Sequence, residues 1–323
     1  MNKLCYLVSI CAFLIISCEK PTPTPGEPTE LSENFSGTPT AHAVSPADEL
    51  DEASGLADSK KQAGFLWTHE DAGSPDRIYL LDRQGKIVAN YTTPFINYDW
   101  EDMAVGPGPD ANESYIYLAD IGDNSNVRDI KQIYRFPEPS TLTSTITNFD
   151  WIRFRFPDGA YDSETLLLDP LTKDIYVVTK WLTNARVYRL AYPQSTTEVI
   201  TAEKVGEMTV GADLTGGAIS TIGTEVIVRG YTAIYYWKRK ATETVGEVLL
   251  RAPTKSLPYI FEPQGEAVCF DLNNKGYFTL SERRNVPSVN LYFYARKWAV
   301  TAFRFWETWS TFINSGCEQP EAH

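Results

Sequence analysis

The sequence predicts an all-β protein, a β-propeller with five blades of four antiparallel strands. Three observations predict it. One strand pattern recurs five times, its copies start 47 to 63 residues apart, and no segment between them has helical periodicity or a convincing capping box. Repeats of about 40–50 residues are typical of propeller blades. Closing the ring also removes the free sheet edges that invite aggregation.

The N-terminal segment has the features of a bacterial lipoprotein signal. Lys3 is its only charge, and an apolar or small run follows that suits a secretory signal and is too short to span a bilayer. The run ends Ile-Ile-Ser-Cys at 15–18, which resembles a lipoprotein cleavage box. We expect residues 1–17 to be removed and Cys18 to be acylated. The alternative is an ordinary cleaved signal with an incidental cysteine.

The rest of the chain divides into three parts. Residues 18–40 are predicted to be a lipidated, disordered tether, because they are rich in Pro, Thr, Glu and Ser and have almost nothing apolar to bury. We assign residues 41–312 to a single propeller and residues 313–323 to a tail. From this organisation we expect the protein to lie in the bacterial cell envelope, lipid-anchored to the outer membrane and facing the periplasm or the surface.

Two cysteines, Cys269 and Cys317, remain outside the signal and the anchor. An exported compartment permits a disulfide between them. However, Cys269 falls in a predicted core strand, where a buried free thiol is common. Both alternatives stay open.

The repeat is sharpest in the third strand of each copy, where a branched apolar residue precedes tyrosine: Ile78-Tyr79, Ile133-Tyr134, Val187-Tyr188, Ile234-Tyr235 and Leu291-Tyr292. The first strands start near residues 54, 101, 164, 217 and 266. Residues 151–156 and 299–306 alternate in the manner of half-buried fourth strands. A sixth blade would need residues 31–50 to combine with the chain after Arg296. A sandwich of two sheets is the alternative fold, but it gives no reason for a repeated motif.

The charge balance excludes nucleic acid as a partner. The net charge is −13, and removal of residues 1–17 with Lys3 makes it −14. Binding to nucleic acid depends on basic groups that neutralise phosphates. Cations, or neutral or locally complemented ligands, are the partners that suit this chain.

Propeller geometry collects many acids on one rim of the central channel, because the start of each first strand and the loop between second and third strands lie there. Glu52, Asp99, Asp162, Asp213 and Glu262 belong to this rim. We predict ligand-binding residues among the following set: His69, Asp71, Glu101, Glu164, Lys180, Arg229, Glu266 and Glu282.

Acids packed this closely cannot all stay ionised and unpaired. They can pair with Lys180, Arg229, Arg128 and Arg283, ligate a hard cation such as calcium, or be protonated for acid–base work. A purely structural alternative is that the rim glutamates accept hydrogen bonds from backbone amides and hold the blades in register.

The segment Asp-Ile-Gly-Asp-Asn at 120–124 has the oxygen-rich look of a calcium loop, with Asp120, Asp123 and Asn124 as ligands. It lacks the spacing of the helical calcium motif, so it could equally be a turn held by Asx hydrogen bonds. His69 lies in no multi-histidine pattern, which excludes a zinc site built on several histidines. It is better suited to contact a ligand or to act as a hydrogen-bonded strut than to serve as a general base.

Several phrases between residues 50 and 295 resemble a family of largely uncharacterised exported bacterial propeller proteins: Ser54-Gly-Leu, 66–71, 99–102, 120–124, 157–159, 162–165, 228–231 and 263–267. The glutamate that opens the first strands is more distantly similar to that of phytase-like propellers, which hold calcium with acids and phosphate with Lys or Arg. This chain differs from those propellers in blade count and lacks their clear basic cluster. Its signal, acidity and tether resemble those of surface lipoproteins of the Bacteroidetes.

Two functions follow as hypotheses. The first is a binding or scaffold propeller whose acidic rim holds a cation and a glycan, peptide or protein ligand. The second is a hydrolase, either a calcium-assisted phosphoesterase that uses Lys180 and Arg229 for the anion, or a glycan-cleaving enzyme that uses two of Glu101, Glu164 and Glu266 as acid and base.

Overall fold

The computed structural model describes residues 32–142, 145–180, 183–210 and 213–297. These residues belong to one compact unit that begins at Ser32. The predicted signal, the acylated Cys18, the strand at 299–306, Cys317 and the tail lie outside the described residues.

The described residues form five antiparallel sheets, so the prediction of a five-bladed propeller is confirmed. The chain begins with β1 (Thr40–Ala43), which completes the last blade. The first blade contains β2 (Ala53–Asp58), β3 (Phe65–Glu70), β4 (Arg77–Asp82) and β5 (Ile87–Thr92). The second contains β6 (Trp100–Pro107), β7 (Ser114–Asp120), β8 (Lys131–Pro137) and β9 (Asp150–Arg155).

The other three blades follow in chain order. The third contains β10 (Ser163–Leu168), β11 (Ile175–Thr179), β12 (Arg186–Leu190) and β14 (Glu203–Glu207). The short β13 (Ile200–Thr201) lies between β12 and β14 in the chain but pairs with β9 of the second blade. The fourth contains β15 (Leu214–Ile219), β16 (Glu225–Gly230), β17 (Ile234–Lys238), helix α1 (Val245–Leu250) and β18 (Lys255–Ser256). The fifth contains β19 (Gln264–Phe270), β20 (Gly276–Glu282) and β21 (Asn290–Ala295).

The ring is closed by the two ends of the described chain. β1 pairs antiparallel with β21, with Thr40 opposite Phe293, and so supplies the outermost strand of the fifth blade. On the inside, the first strands β2, β6, β10, β15 and β19 each pack against the first strands of both neighbouring blades. In this closed ring every first strand therefore has a neighbouring first strand on each side.

Five apolar clusters hold the blades together, one at each junction between neighbours. For example, Trp67 of the first blade packs with Trp100 and Phe136 of the second. Because both faces of each blade are covered, the inner strands read as almost continuous apolar runs, as in β11 and β16. The core therefore lies between the blades.

Three sequence expectations need correction. The predicted tether extends too far, because Phe35 is buried between the fourth and fifth blades against Tyr236 and Tyr277. The second blade has a fifth strand, β13, which pairs parallel with β9. A capping box is also present, since the Thr244 and Glu247 side chains exchange hydrogen bonds with each other's backbone amides at the start of α1. No helix among the described residues has the length and apolar character to cross a membrane.

Candidate functional site

The start of every first strand carries a β-bulge, a shift in register against the second strand of the same blade. In four blades the extra residue is Glu101, Glu164, Thr215 or Glu266, and in the first blade the bulge falls at Ser54-Gly55. A bulge bends the strand and changes the direction of its side chain. The repeated bulge therefore places three glutamates and two hydroxyl residues at equivalent positions around the axis.

Glu101 lies at the centre of a group of carboxylates. Its oxygen is within 4.8 Å of oxygens of Asp71 and Asp99 on one side, and it also lies within 4.8 Å of oxygens of Asp162 and Glu164 on the other. We call these five residues the mouth cluster. The Glu101 carboxylate receives no hydrogen bond from any described residue, although Ser54 Oγ donates to the Glu101 backbone carbonyl at 2.6 Å.

The mouth cluster is poorly neutralised by its surroundings. Burial, followed by the charge of Glu164, raises the pKa of Glu101 well above its ordinary value. Burial together with neighbouring carboxylates raises the pKa of Asp71 and that of Asp99 to about 6. At neutral pH these groups therefore need protons or a bound cation to offset their repulsion.

One cation reaches the cluster from the third blade. Lys180 Nζ pairs with Glu164 and donates to the Tyr231 hydroxyl at 3.0 Å, and that hydroxyl in turn donates to Glu266 Oε1 at 3.1 Å. Burial alone would lower the pKa of Lys180, but the charge of Glu164 raises it. Oε2 of Glu164 and Oε2 of Glu266 are buried and have no hydrogen-bond partner among the described residues.

A glutamine extends this network to the fifth blade. Gln264 Nε2 donates to Glu266 Oε1 at 2.8 Å and to Glu282 Oε1 at 2.7 Å. Burial, followed by the charge of Glu266, raises the pKa of Glu282 to about 8. The network thus joins acids of the third and fifth blades, through one lysine and a tyrosine of the fourth blade, with more carboxylates than positive charges.

The structural role considered for the rim glutamates, accepting hydrogen bonds from backbone amides, belongs instead to Asp102. Asp102 Oδ2 accepts the backbone amides of Leu166, at 2.9 Å, and Gly217, at 3.1 Å, while Oδ1 accepts that of Met103 at 2.8 Å. Asp102 therefore ties β6 to β10 and β15. The glutamates of the bulges show no comparable bonds from backbone amides to their side chains, so their carboxylates are available for other chemistry.

The loop predicted to bind calcium is held by protein groups instead. Asp120 accepts from Arg128 and from Gln132, each at 2.7 Å. Asp123 accepts the amide of Arg128 at 2.8 Å and lies 3.0 Å from Lys131 Nζ. Asn124 is exposed. This geometry favours the hydrogen-bonded turn that was the alternative interpretation of residues 120–124.

The turn nevertheless supports the mouth cluster. The amide of Asp123 donates to Asp162 Oδ1 at 2.7 Å, and the amide of Gly122 donates to the backbone carbonyl of Asp99 at 3.2 Å. The oxygens that converge belong to the mouth cluster, and the turn positions two of its members.

Two predicted ligand residues lie in the packed interior. His69 is fully buried, its Nδ1 donates to the Glu70 carbonyl at 3.1 Å, and burial lowers its pKa to about 4, which makes it a neutral strut. Arg229 is also fully buried; it pairs with Glu262 and donates to the Ala267 carbonyl at 3.0 Å. Neither side chain is open to a ligand in this structure.

The structure brings the other six predicted ligand residues together: Asp71, Glu101, Glu164, Lys180, Glu266 and Glu282. Sequence reasoning did not select Tyr231 or Gln264, although both fall in phrases that carried the family resemblance. Their signal is weak because a single tyrosine or glutamine near a strand has many structural uses.

Solved structures with a similar arrangement include a Dos1 propeller, hydrazine synthase of Kuenenia stuttgartiensis and a luciferin-regenerating enzyme. Identities are 12%, 12% and 9%, and TM-scores are 0.36, 0.42 and 0.46. The matches cover 75%, 76% and 80% of this chain and 68%, 83% and 95% of the other chains, respectively. Similarity at this level carries no information about ligand or activity. Neither a protein-family model nor a curated protein matches the sequence.

Proposed function

We propose that this protein is a lipid-anchored binding propeller of the bacterial cell envelope whose mouth cluster holds a calcium ion. The observation that supports this function best is the position of Glu101, which has no hydrogen-bond donor among the described residues and shares short oxygen–oxygen distances with four other acids. A divalent cation at this point offsets the repulsion among the carboxylates, which adds to burial in raising the pKa of Glu101, Asp71 and Asp99.

The ligand chemistry favours calcium over softer metals. All five members of the mouth cluster offer carboxylate oxygens, and no histidine or cysteine belongs to the two groups of converging ligands. Calcium takes about six to eight oxygen ligands in flexible geometry, whereas zinc prefers nitrogen and sulfur. Asp71 and Asp99 are only partly buried, so water or a ligand can complete the coordination from the open side.

Binding suits the site better than hydrolysis. The anion-binding pair expected of a phosphoesterase is not free, because Arg229 pairs with Glu262 and Lys180 pairs with Glu164. Oxygens of Glu101 and Glu164 lie within 4.8 Å. A shared ion accounts for such a short distance.

The bound calcium would serve as the recognition point for a glycan, peptide or protein ligand. A cation held on the open side by two partly exposed acids can accept a hydroxyl, carbonyl or carboxylate oxygen from a partner. The net negative charge of the chain suits partners that are neutral or that bind through the metal.

Thermal unfolding with and without calcium tests this function. If the dissociation constant is near 10 µM, 1 mM calcium stabilises the folded state by about 2.7 kcal/mol, which corresponds to a rise in Tm of about 5 °C. Glu101→Gln should abolish the rise. Glu198→Gln is the control and should keep it, because Glu198 is an exposed acid that does not belong to the mouth cluster. Absence of any rise in the unsubstituted protein would exclude the calcium site.

A further inference from the structure

A second concavity lies at the other end of the ring, between the second and third blades. Its volume is about 620 Å³. It forms where β7 and β9 begin, where β8 ends and where the chain leaves β12. We call it the lower groove and define it by six of its lining residues: Tyr115, Arg135, Phe149, Asp150, Tyr192 and Gln194.

The polar centre of the lower groove is rigid. Arg135 is 4% exposed, and its Nε and Nη2 donate to Asp150 Oδ2 at 2.9 and 2.6 Å. Gln194 is 5% exposed and donates through Nε2 to the carbonyls of Lys173 and Leu190, at 3.0 and 3.1 Å. These bonds fix its Oε1 near Arg135, 3.5 Å from Nη1. The groove thus presents a preorganised guanidinium, carboxylate and amide.

The carboxylate keeps unused capacity. Both arginine bonds end on Oδ2 of Asp150, and Oδ1 accepts no hydrogen bond from any described residue. The Asp150 side chain is 38% exposed, so this oxygen is accessible to a ligand. The positive charge of Arg135 at the polar centre of the groove is offset by Asp150.

Aromatic rings form the walls. Phe149 packs edge-on against Phe95, with ring centroids 5.0 Å apart, and remains partly exposed. The ammonium of Lys173 lies over the ring of Tyr192, 4.9 Å from the ring centroid. Tyr115 lies directly against Gly108, where an added Cβ would come within 2.2 Å of the ring. Each of the three rings is therefore in contact with a neighbouring residue.

We propose that the lower groove binds a neutral saccharide of one or two hexopyranose rings. A sugar ring has an apolar face of C–H groups that packs on aromatic rings and an edge of hydroxyls that both donate and accept hydrogen bonds. The remaining N–H groups of Arg135, the free oxygen of Asp150 and the amide oxygen of Gln194 complement such hydroxyls. The volume also lies in the range of about 300–1,000 Å³ that small-molecule sites occupy.

A proline-rich peptide is the competing occupant, because tyrosine and proline surfaces also bind such peptides. Three prolines, at 109, 137 and 193, line the groove. The peptide, however, gives no use for a charge-balanced Arg135–Asp150 pair beside a fixed amide. The saccharide uses both the rings and the polar centre, and its binding does not depend on the calcium site.

Titration of the purified protein with disaccharides tests the proposal. The probes are cellobiose, maltose and N,N′-diacetylchitobiose, measured by calorimetry and saturation-transfer NMR, with a proline-rich decapeptide as competitor. At least one disaccharide should bind with a Kd in the millimolar range or tighter. Tyr192→Ala and Asp150→Asn should each weaken that binding at least tenfold while the Tm stays within a few degrees.

Matched controls separate this site from the mouth. Phe261→Ala removes an exposed aromatic side chain outside the lower groove, and it should leave disaccharide binding unchanged. Glu101→Gln and EDTA should also leave it unchanged, because they act on the mouth cluster. The proposal is overturned if no disaccharide saturates, if the decapeptide binds in its place, or if both groove variants bind as well as the unsubstituted protein.

Discussion

Gly122 lies directly against the carboxylate of Glu101. A Cβ added to Gly122 would be 2.1 Å from Glu101 Oε1 and 2.5 Å from Cγ of Asp99. Only a hydrogen fits there. Because Gly122 has no side chain, the turn at 120–124 can approach both acids. The short distances within the mouth cluster therefore depend on a residue that itself carries no functional group.

Gly122→Ala should impair cation binding without unfolding the protein. The methyl group must displace the Glu101 and Asp99 side chains, which are flexible ends and not backbone, so the fold should survive. We expect calcium affinity, measured by calorimetry, to fall at least tenfold. Gly37→Ala is the matched control, since a Cβ at that glycine meets no atom within 4 Å. Unchanged affinity in Gly122→Ala would mean that calcium binds elsewhere.

The stability of the cation-free protein should fall as pH rises. Burial, with neighbouring carboxylates, raises the pKa of Asp71 and of Asp99 to about 6 and that of Glu282 to about 8. The folded protein thus binds more protons than the unfolded chain, whose carboxyls titrate near about pH 4. Stability from these groups is present at low pH and is lost as pH rises through 6 and 8.

Urea unfolding in EDTA at constant ionic strength measures this effect. Between pH 6.5 and 8.5 the free energy of unfolding should fall by about 1–3 kcal/mol. His69 acts in the opposite direction, because burial lowers its pKa to about 4, but its contribution is confined to lower pH. Glu282→Gln should flatten the profile and calcium should reverse its slope. A free energy that rises with pH in EDTA would contradict the raised pKa values.

The ring and the three glutamates were predictable, but their supporting groups were not. The repeated third-strand tyrosines and the spacing of Glu101, Glu164 and Glu266 are local patterns that survive in the sequence. In the fourth blade the bulge falls at Thr215, two residues before the expected start of the first strand at Gly217, because the sequence carries no signal for a register shift. β1 pairs with a strand about 250 residues away, and such pairing has no local signal.

The sequence also could not predict which acid pairs with each buried cation. Lys180 and Arg229 appear equivalent as cations near second strands, yet only Lys180 reaches the mouth cluster while Arg229 pairs with the buried Glu262. Which acid a cation meets is decided by packing between blades. Residue type alone could not distinguish the two.

Lys180→Met should destabilise the protein mainly at high pH. It removes the ammonium that pairs with Glu164 and donates to Tyr231, so the repulsion between Glu164 and Glu266 increases. Because the lysine side chain is 19% exposed, we expect a loss of about 1–3 kcal/mol at pH 8, less than for a fully buried pair. The loss should be smaller at pH 6, where protons neutralise the acids.

Calcium provides a second measurement on the same variant. With one positive charge removed from the mouth, calcium affinity should increase, so that saturating calcium restores much of the lost stability. Lys204→Met is the control, because Lys204 pairs with Asp158 at the surface and its loss should cost under about 0.5 kcal/mol. Equal losses at pH 6 and pH 8 would show that Lys180 acts through packing and not through charge.

Asp102→Asn should weaken the ring itself and leave calcium binding intact. The carboxylate of Asp102 accepts amides from Met103, Leu166 and Gly217 on its two oxygens. Asparagine has one acceptor oxygen, so its NH₂ group must face at least one of these buried donors. We expect a loss of about 2–4 kcal/mol in urea unfolding, the cost of an unsatisfied buried group together with a lost charge-assisted bond.

Asp102→Asn also distinguishes the structural role of Asp102 from the cation-binding role proposed for its neighbour Glu101. Burial raises the pKa of Asp102 well above its ordinary value while the three amides oppose that rise, so the loss should be present with calcium and in EDTA alike. Ser54→Ala removes a single neutral bond between the first and second blades and should cost only about 1 kcal/mol. If Asp102→Asn left stability unchanged but abolished the calcium-induced rise in Tm, Asp102 would belong to the cation site and not to the ring.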